Sequence, residues 1–218
     1  ESMTRAPFVM PKAHEAFSRS NAIYDTTIGW RFTNPKLAKM YYPFSMGETA
    51  ENVAKRYKIP RERQDEFAYN SQMKAKEAIL AGKFKDEITP VEIVNKKETA
   101  VFDVDEFPRL DTTIEKLSKL KPAFTKEDDG GGGSVTAGNS SGVNDGACAI
   151  LLASEERANE LGLMPRARII SSAVAGVEPD CMGLGPIPAS KKALERAGVK
   201  LNDIDLIEIN EAFAAQSL

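Results

Sequence analysis

Three short stretches carry the residue types that chemistry needs. Residues 135–147 read VTAGNSSGVNDGA. Glycine lets a backbone approach a ligand closely, and the serine hydroxyls and asparagine amides offer directed hydrogen bonds. The same composition suits a tight loop before a strand, and residue types alone leave both readings open. Residues 182–189 read MGLGPIPA. Gly183-x-Gly185 entering a helix has part of a phosphate-binding pattern, but it lacks the third glycine and an immediately preceding strand. A structural turn into a proline-started helix is the better reading. Residues 208–216 read EINEAFAAQ. Here Asn210 and Glu211 form a polar pair where a buried strand meets a helix, and open α/β sheets place ligand sites at strand C-terminal ends. An asparagine amide there can hold a water that donates to a developing oxyanion. Glu211 beside a helix start is equally explained by capping and the helix dipole.

The elements that must position these stretches fall into two textures. Prolines at 7, 11, 35 and 43 argue against long elements before residue 45. Thr49 is the expected cap of a helix running to Tyr57. Pro60 opens a longer helix ending near Gly82, with Phe67, Ser71, Ala75, Ala78 and Ile79 as its apolar face. Residues 91–94 read as a strand, and Asp111 or Thr112 caps a third helix through Leu117 and Leu120. Residues 126–134, KEDDGGGGS, form an acidic glycine-rich turn, either an engineered linker or a lengthened surface hairpin.

Beyond that turn, residues 147–153 form a continuous apolar run, the mark of a strand buried on both faces. A helix over 155–161 stops at Gly162, and a strand follows over 167–174. Pro188 opens a helix over 189–197 that stops at Gly198. Residues 206–209 read as a strand, and an Ala-rich helix over 212–218 follows Asn210 and Glu211. Strand–helix alternation indicates α/β architecture with both sheet faces covered. The expected division is a helical, loop-rich module at about 10–135 and an α/β portion at about 140–218, with no internal repeat.

The chain has 218 residues, 42% hydrophobic and 28% charged, long enough to bury a core. A net charge of −3 favours neither nucleic acid nor an anionic membrane. No apolar run approaches a membrane span, and the first residues, ESMTR, hold no signal-peptide core. Two cysteines, Cys148 and Cys181, are too few for a disulfide framework, so a reducing, cytoplasmic setting is expected. The missing initiator Met and the helix that stops without Gly or Pro suggest that both ends are cut edges.

Together the three stretches resemble the internal signatures of the thiolase family, in family order and near family spacing. Supporting matches include ESMTRAP at 1–7, MGETAENVA at 46–54, QDEFA at 64–68, KFKDEI at 83–88 and KLKPAF at 119–124. The resemblance runs through most of the chain. DTTIGWRF at 25–32 is similar to members that cleave 3-oxoacyl-CoA, including 3-oxoadipyl-CoA. The implied fold is α/β: a partial layered α-β-α sandwich with an inserted helical loop domain. Residues 1–8 would end the N-terminal half, 9–140 form the loop domain, 141–160 return to that half, and 161–218 begin the C-terminal half.

The resemblance implies acyl transfer on coenzyme A through an acyl-cysteine, with no permanently bound cofactor and with acyl-CoA as substrate. Thiolate is both a strong nucleophile and a good leaving group. The family's nucleophilic cysteine would lie before Glu1, and its Gly-His-Pro histidine and second cysteine after Leu218, so the chain alone is expected to be inactive. Cys148, Cys181 and His14 sit in none of those motifs. By resemblance, Asn210 orients the oxyanion-hole water and Glu211 supports it. Ala212 and Phe213 wall the acyl and pantetheine tunnel, Ser141 bonds pantetheine, and Ala137 and Phe124 line the same slot. Met46 reaches the tunnel from the loop domain, and Arg109 stacks on adenine. Ordinary core packing also explains Met46 and Phe124. Ser45 stands where several short-chain thiolases have histidine, which weighs against acetoacetyl-CoA. A homodimer or homotetramer is implied, with neither nucleic acid nor membrane as partner. Two other readings are a non-catalytic CoA-binding or scaffold protein, and a fragment whose Leu206, Ile207 and Ile209 are exposed.

Overall fold

Proline spacing keeps the first 44 residues in short elements. The computed structural model describes residues 1–13, 15–96, 98–125 and 132–218. His14 and the first two glycines of the 130–133 run therefore lie outside the described residues, as does most of the acidic turn. β1 (Phe8–Val9) pairs antiparallel with β2 (Tyr24–Asp25), Phe8 opposite Asp25. Trp30 Nε1 ties the following loop down by donating to the Phe44 carbonyl at 2.8 Å. α1 (Pro35–Met40) starts at Asn34, whose side chain accepts the Lys36 N–H.

α2 (Met46–Tyr57) starts earlier than Thr49 predicts. Its cap is Ser45: the Ser45 N–H donates to Glu48 Oε2 at 2.7 Å, and the Glu48 N–H donates back to Ser45 Oγ at 3.3 Å. This is a capping box. Thr49 lies inside the helix and gives its hydroxyl to the Met46 carbonyl. α3 (Arg61–Leu80) follows Pro60, as expected. Its buried residues are Gln64, Asp65 and Ala68, whereas Phe67, Ser71, Ala75, Ala78 and Ile79 are only half-buried. Gln64 and Ala68 continue the expected face at helical spacing with Ser71 and Ala75, so the full burial lies at its N-terminal end, before the residues the apolar pattern marks. The buried Gln64 and Asp65 have polar partners, Ser134 Oγ and Asn139 Nδ2, as a polar group at this depth requires.

β3 (Val91–Val94) pairs with β4 (Thr99–Phe102) in an antiparallel hairpin, Val91 opposite Phe102, with every residue exposed. α4 (Ile114–Ser118) is capped by Thr113, not by Asp111 or Thr112; Thr113 Oγ1 accepts the Lys116 N–H at 3.1 Å. α5 (Glu155–Glu160) is capped by Ser154 and followed by Gly162 at φ +63°. α6 (Pro186–Ala197) begins before Pro188, directly after a 3₁₀ turn at Pro179–Leu184, so Gly183-x-Gly185 serves a structural turn. Gly198 ends α6 at φ 69°, a left-handed conformation that favours glycine. α7 (Ala214–Ser217) is shorter than the expected 212–218.

The expected strands at 147–153, 167–174 and 206–209 form no ladder among the described residues. Ile150 is 81% exposed and Leu206 86%. Leu206, Ile207 and Ile209 are all exposed, as the fragment reading predicts. A run buried on both faces needs neighbouring strands and covering helices, and the described residues supply neither. No described helix is long and apolar enough to cross a membrane.

The chain divides into two compact units. One holds Glu1–Thr49 and Val143–Asn210. Within it, Thr4 donates both its N–H and its hydroxyl to the Asp145 carboxylate. α6 there meets residues 171–174: Arg196 donates to the Ser172 carbonyl at 2.7 Å, and Ser171 Oγ to the Ala193 carbonyl at 2.8 Å. The other unit holds Ala50–Gly142 and Glu211–Leu218. Its core is Ala50, Ala54, Val135 and Ala215, with Phe124 and Phe213 packed against it.

Candidate functional site

The small-residue loop is held from its own side chains outward. The Glu51 carboxylate, on α2, accepts the N–H groups of Ser134 and Val135, each at 2.8 Å, and the Ser134 hydroxyl at 3.0 Å. Asn139 is 3% exposed. Its Oδ1 accepts the Thr136 N–H at 2.8 Å, and its Nδ2 donates to the Ser134 carbonyl and to Asp65 Oδ1, both at 3.0 Å. Ser140 Oγ donates back to the Thr136 carbonyl at 2.7 Å. A side chain that bonds its own loop this fully fixes the turn without needing strand or helix.

Of the two readings left open for the small-residue stretch, Gly138 fits the tight loop: a Cβ there would meet Leu120 Cδ1 at 2.5 Å and Leu117 Cδ2 at 2.6 Å. The close approach at this glycine is to two leucines of the same unit, Leu117 buried and Leu120 exposed.

The loop meets the segment that follows Asn210. The Ser141 N–H donates to the Ala212 carbonyl at 2.9 Å, and the Ala214 N–H to the Asn139 carbonyl at 2.9 Å. Ser140 and Phe213 form an antiparallel bridge. The Phe124 and Phe213 rings meet edge to face, centroids 6.1 Å apart, a favourable arrangement for aromatic pairs. Ser71 Oγ, on α3, donates to Glu211 Oε2 at 2.6 Å.

Of the residues singled out in sequence, Phe124, Ala137, Ser141, Glu211, Ala212 and Phe213 thus share one unit and one neighbourhood. Ala137 and Ser141 are exposed, while Phe124, Ala212 and Phe213 are half-buried. Arg109 lies in the same unit, exposed, with its main-chain N–H donated to Gln72 Oε1 at 2.8 Å. Nearby, the hydrogen bond and charge of Lys116 hold the Asp111 carboxyl below its ordinary range, and Arg109 adds a smaller pull. Met46 and Asn210 belong to the other unit and are both exposed. Residue types alone did not single out Glu51, Asp65 or Gln64, which build the site's frame. Their one signal was polar character at positions that helical spacing turns inward.

Cys148 is exposed and Cys181 buried, and no disulfide joins them. Among the described residues no group of His, Cys, Asp and Glu is arranged to hold a metal ion.

The family description "Thiolase, N-terminal domain" matches residues 1–156, and "Thiolase, C-terminal domain" matches residues 163–218. A 3-oxoadipyl-CoA/3-oxo-5,6-dehydrosuberyl-CoA thiolase of Escherichia coli (strain K12) is 54% identical over the whole chain, which covers 53% of that relative. An acetyl-CoA acetyltransferase of Syntrophomonas wolfei is 50% identical with the same coverage. The crystal structure of the Bacillus anthracis acetyl-CoA acetyltransferase is similar with a TM-score of 0.85 at 46% identity, over all of this chain and 52% of that one. Human mitochondrial 3-ketoacyl-CoA thiolase gives a TM-score of 0.82 at 40% identity, over all of this chain and 53% of that one. The chain spans about half the length of the curated relatives it matches. Its fold is accordingly part of the thiolase α/β fold. Two domain matches that take in nearly all of the sequence, and full-chain likeness to thiolases in both sequence and backbone path, place this chain in the thiolase family.

Proposed function

We propose that the protein is a thiolase-type acyltransferase, cleaving a 3-oxoacyl-CoA with coenzyme A or running the reverse Claisen condensation through an acyl-cysteine. The observation that carries the reading is the seating of the 137–141 loop against Ala212–Ala214 through the Ser141, Ser140 and Asn139 contacts. It supports one slot for pantetheine, walled by Ala137, Ser141, Ala212, Phe213 and Phe124. The Ser141 hydroxyl makes no hydrogen bond among the described residues, which suits a role toward ligand. Arg109 offers a guanidinium plane to adenine, and Met46 a thioether to the acyl tunnel. Asn210 holds the water that donates to the thioester oxyanion, and Glu211 supports that segment.

In this reading the nucleophilic cysteine, its histidine and the second cysteine come from length that the relatives have and these 218 residues do not. Cys148 and Cys181 are not assigned to the chemistry. The unpaired runs at 147–153, 167–174 and 206–209 take their strand neighbours from the same source. Residues 9–140 form the loop domain, inserted between an N-terminal half (1–8 and 141–160) and a C-terminal half from 161. Subunits associate as a dimer or a dimer of dimers. The name of the Escherichia coli relative and the DTTIGWRF stretch favour a dicarboxylic 3-oxoacyl-CoA such as 3-oxoadipyl-CoA.

The test is thiolysis by the protein as its gene encodes it, with acetoacetyl-CoA, a longer 3-oxoacyl-CoA and 3-oxoadipyl-CoA. Turnover is expected, greatest with the last, and Asn210→Ala should lower kcat by about 10²-fold. The 218-residue chain alone should show none. A folded, encoded protein that turns over none of the three yet binds coenzyme A would establish the non-catalytic reading instead.

A further inference from the structure

The face of α3 that packs inward carries a polar row at helical spacing: Arg61, Gln64, Asp65, Ser71 and Gln72, interrupted by the small Ala68. Each polar member reaches a different part of the same unit. Arg61 Nη2 donates to the carbonyls of Leu117 and Leu120 at 2.8 and 3.0 Å, and Gln64 Nε2 to Ser134 Oγ at 2.9 Å. Asp65 accepts Arg61 Nε at 2.8 Å and Asn139 Nδ2 at 3.0 Å. Ser71 donates to Glu211, and Gln72 accepts the Arg109 N–H. A helix ordinarily turns such residues to water. Here Gln64 is 0% and Asp65 3% exposed, and burial at this depth costs free energy unless the groups are partnered. Apart from the Leu117 and Leu120 carbonyls, these partners lie on the segments that hold the proposed ligand contacts, and Gln64 Oε1 alone finds no partner among the described residues.

We propose that α3 is the template that sets the positions of Arg109, the 134–141 loop and Glu211–Ala214, with Asp65 and Ser71 as positioning residues; this rests on the acyltransferase reading above. Asp65 acts through Asn139, whose amide it holds and whose carbonyl takes the Ala214 N–H. That route governs the loop carrying Ala137 and Ser141, the pantetheine end. Ser71 acts through Glu211, the chain neighbour of Asn210, and governs the oxyanion end. The two substitutions therefore fail differently.

The protein as its gene encodes it is compared with its Ser71→Ala, Ser71→Thr and Asp65→Asn variants, in thiolysis kinetics and in amide hydrogen exchange. Ser71→Ala should lower kcat about five- to ten-fold with the KM for coenzyme A nearly unchanged, and Ser71→Thr, which keeps the hydroxyl, should restore it. Asp65→Asn should raise the KM for coenzyme A about ten-fold. Exchange at Ser141 and Ala214 should quicken in Asp65→Asn, while β3 and β4 exchange as in wild type. Variants that lose only thermal stability, with wild-type kcat and KM per active site, overturn the proposal. So does unchanged exchange at Ser141 and Ala214. If the wild-type protein shows no thiolysis, the acyltransferase reading falls, and the exchange measurement alone decides whether α3 holds these segments.

Discussion

Replacing Glu51 by alanine tests how the small-residue loop is held. The carboxylate takes two main-chain N–H groups and one hydroxyl at the loop's entry. Val135 is 0% exposed, so water does not replace the lost acceptor at its N–H. A buried donor left unpaired costs about 1–3 kcal/mol. Ser134 is half-buried, and water recovers most of its bonds, leaving about 0.5–1 kcal/mol. The sum, about 1.5–4 kcal/mol, is a large share of the roughly 5–15 kcal/mol that holds a domain folded. Glu51→Gln keeps one acceptor oxygen but turns an amide NH₂ toward a donor, so about half that loss is expected. The assay is native-state amide exchange at Val135 with a urea midpoint on the same samples. The alanine variant should speed Val135 exchange roughly 10- to 700-fold and lower the midpoint. A midpoint loss below about 0.5 kcal/mol, with Val135 exchange unchanged, would show that the Asn139–Asp65 contact holds the loop without Glu51.

Gly138→Ala should cost about 1–3 kcal/mol, read from a urea midpoint, because its Cβ would overlap Leu117 and Leu120; a wild-type midpoint would mean that both leucines swing aside freely. Asp145 should titrate below the ordinary carboxylate range, because the Thr4 hydroxyl and then the Thr4 N–H bond its charged form. Its folded pKa lies below its unfolded one, so the contact's stability is present above the unfolded value and is lost as pH falls through the folded value. Thr4→Val should shrink that acid-limb loss, since it removes the hydroxyl and keeps the N–H, and a carboxyl-carbon NMR midpoint at or above the ordinary range would refute the contact. The 218-residue chain alone should bind a hydrophobic dye through its unpaired apolar runs, and Leu151→Asp with Leu206→Asp should reduce the signal; a chain that binds none has those runs covered.

What could be read from the sequence divides by the range of the forces involved. Pro60 before α3, Gly162 after α5 and Gly198 after α6 act through their own backbone dihedrals, so these boundaries were legible. The start of α2 was also legible, had Ser45 and Glu48 been taken as the S-x-x-E pair of a capping box in place of Thr49 alone. The inward face of α3 was legible only in part. Helical spacing marks Ser71 on it, but not Gln64 and Asp65, whose partners Ser134 and Asn139 lie 70 and 74 residues further along the chain. The apolar runs at 147–153 and 206–209 show the same limit from the other side. Such a run states that a segment needs covering on both faces and is silent about which segment does the covering. The site followed the same rule. Motif order brings Ser141 and Phe213 to notice by resemblance, whereas residue types left open whether Gly138 gives room to a ligand or to its own loop, and that room is taken by two leucines. Resemblance identifies the residues a ligand would touch, whereas the frame that places them depends on contacts across the chain. Glu51, Asp65 and Ser71 are therefore the positions where substitution should separate binding a ligand from merely having its residues.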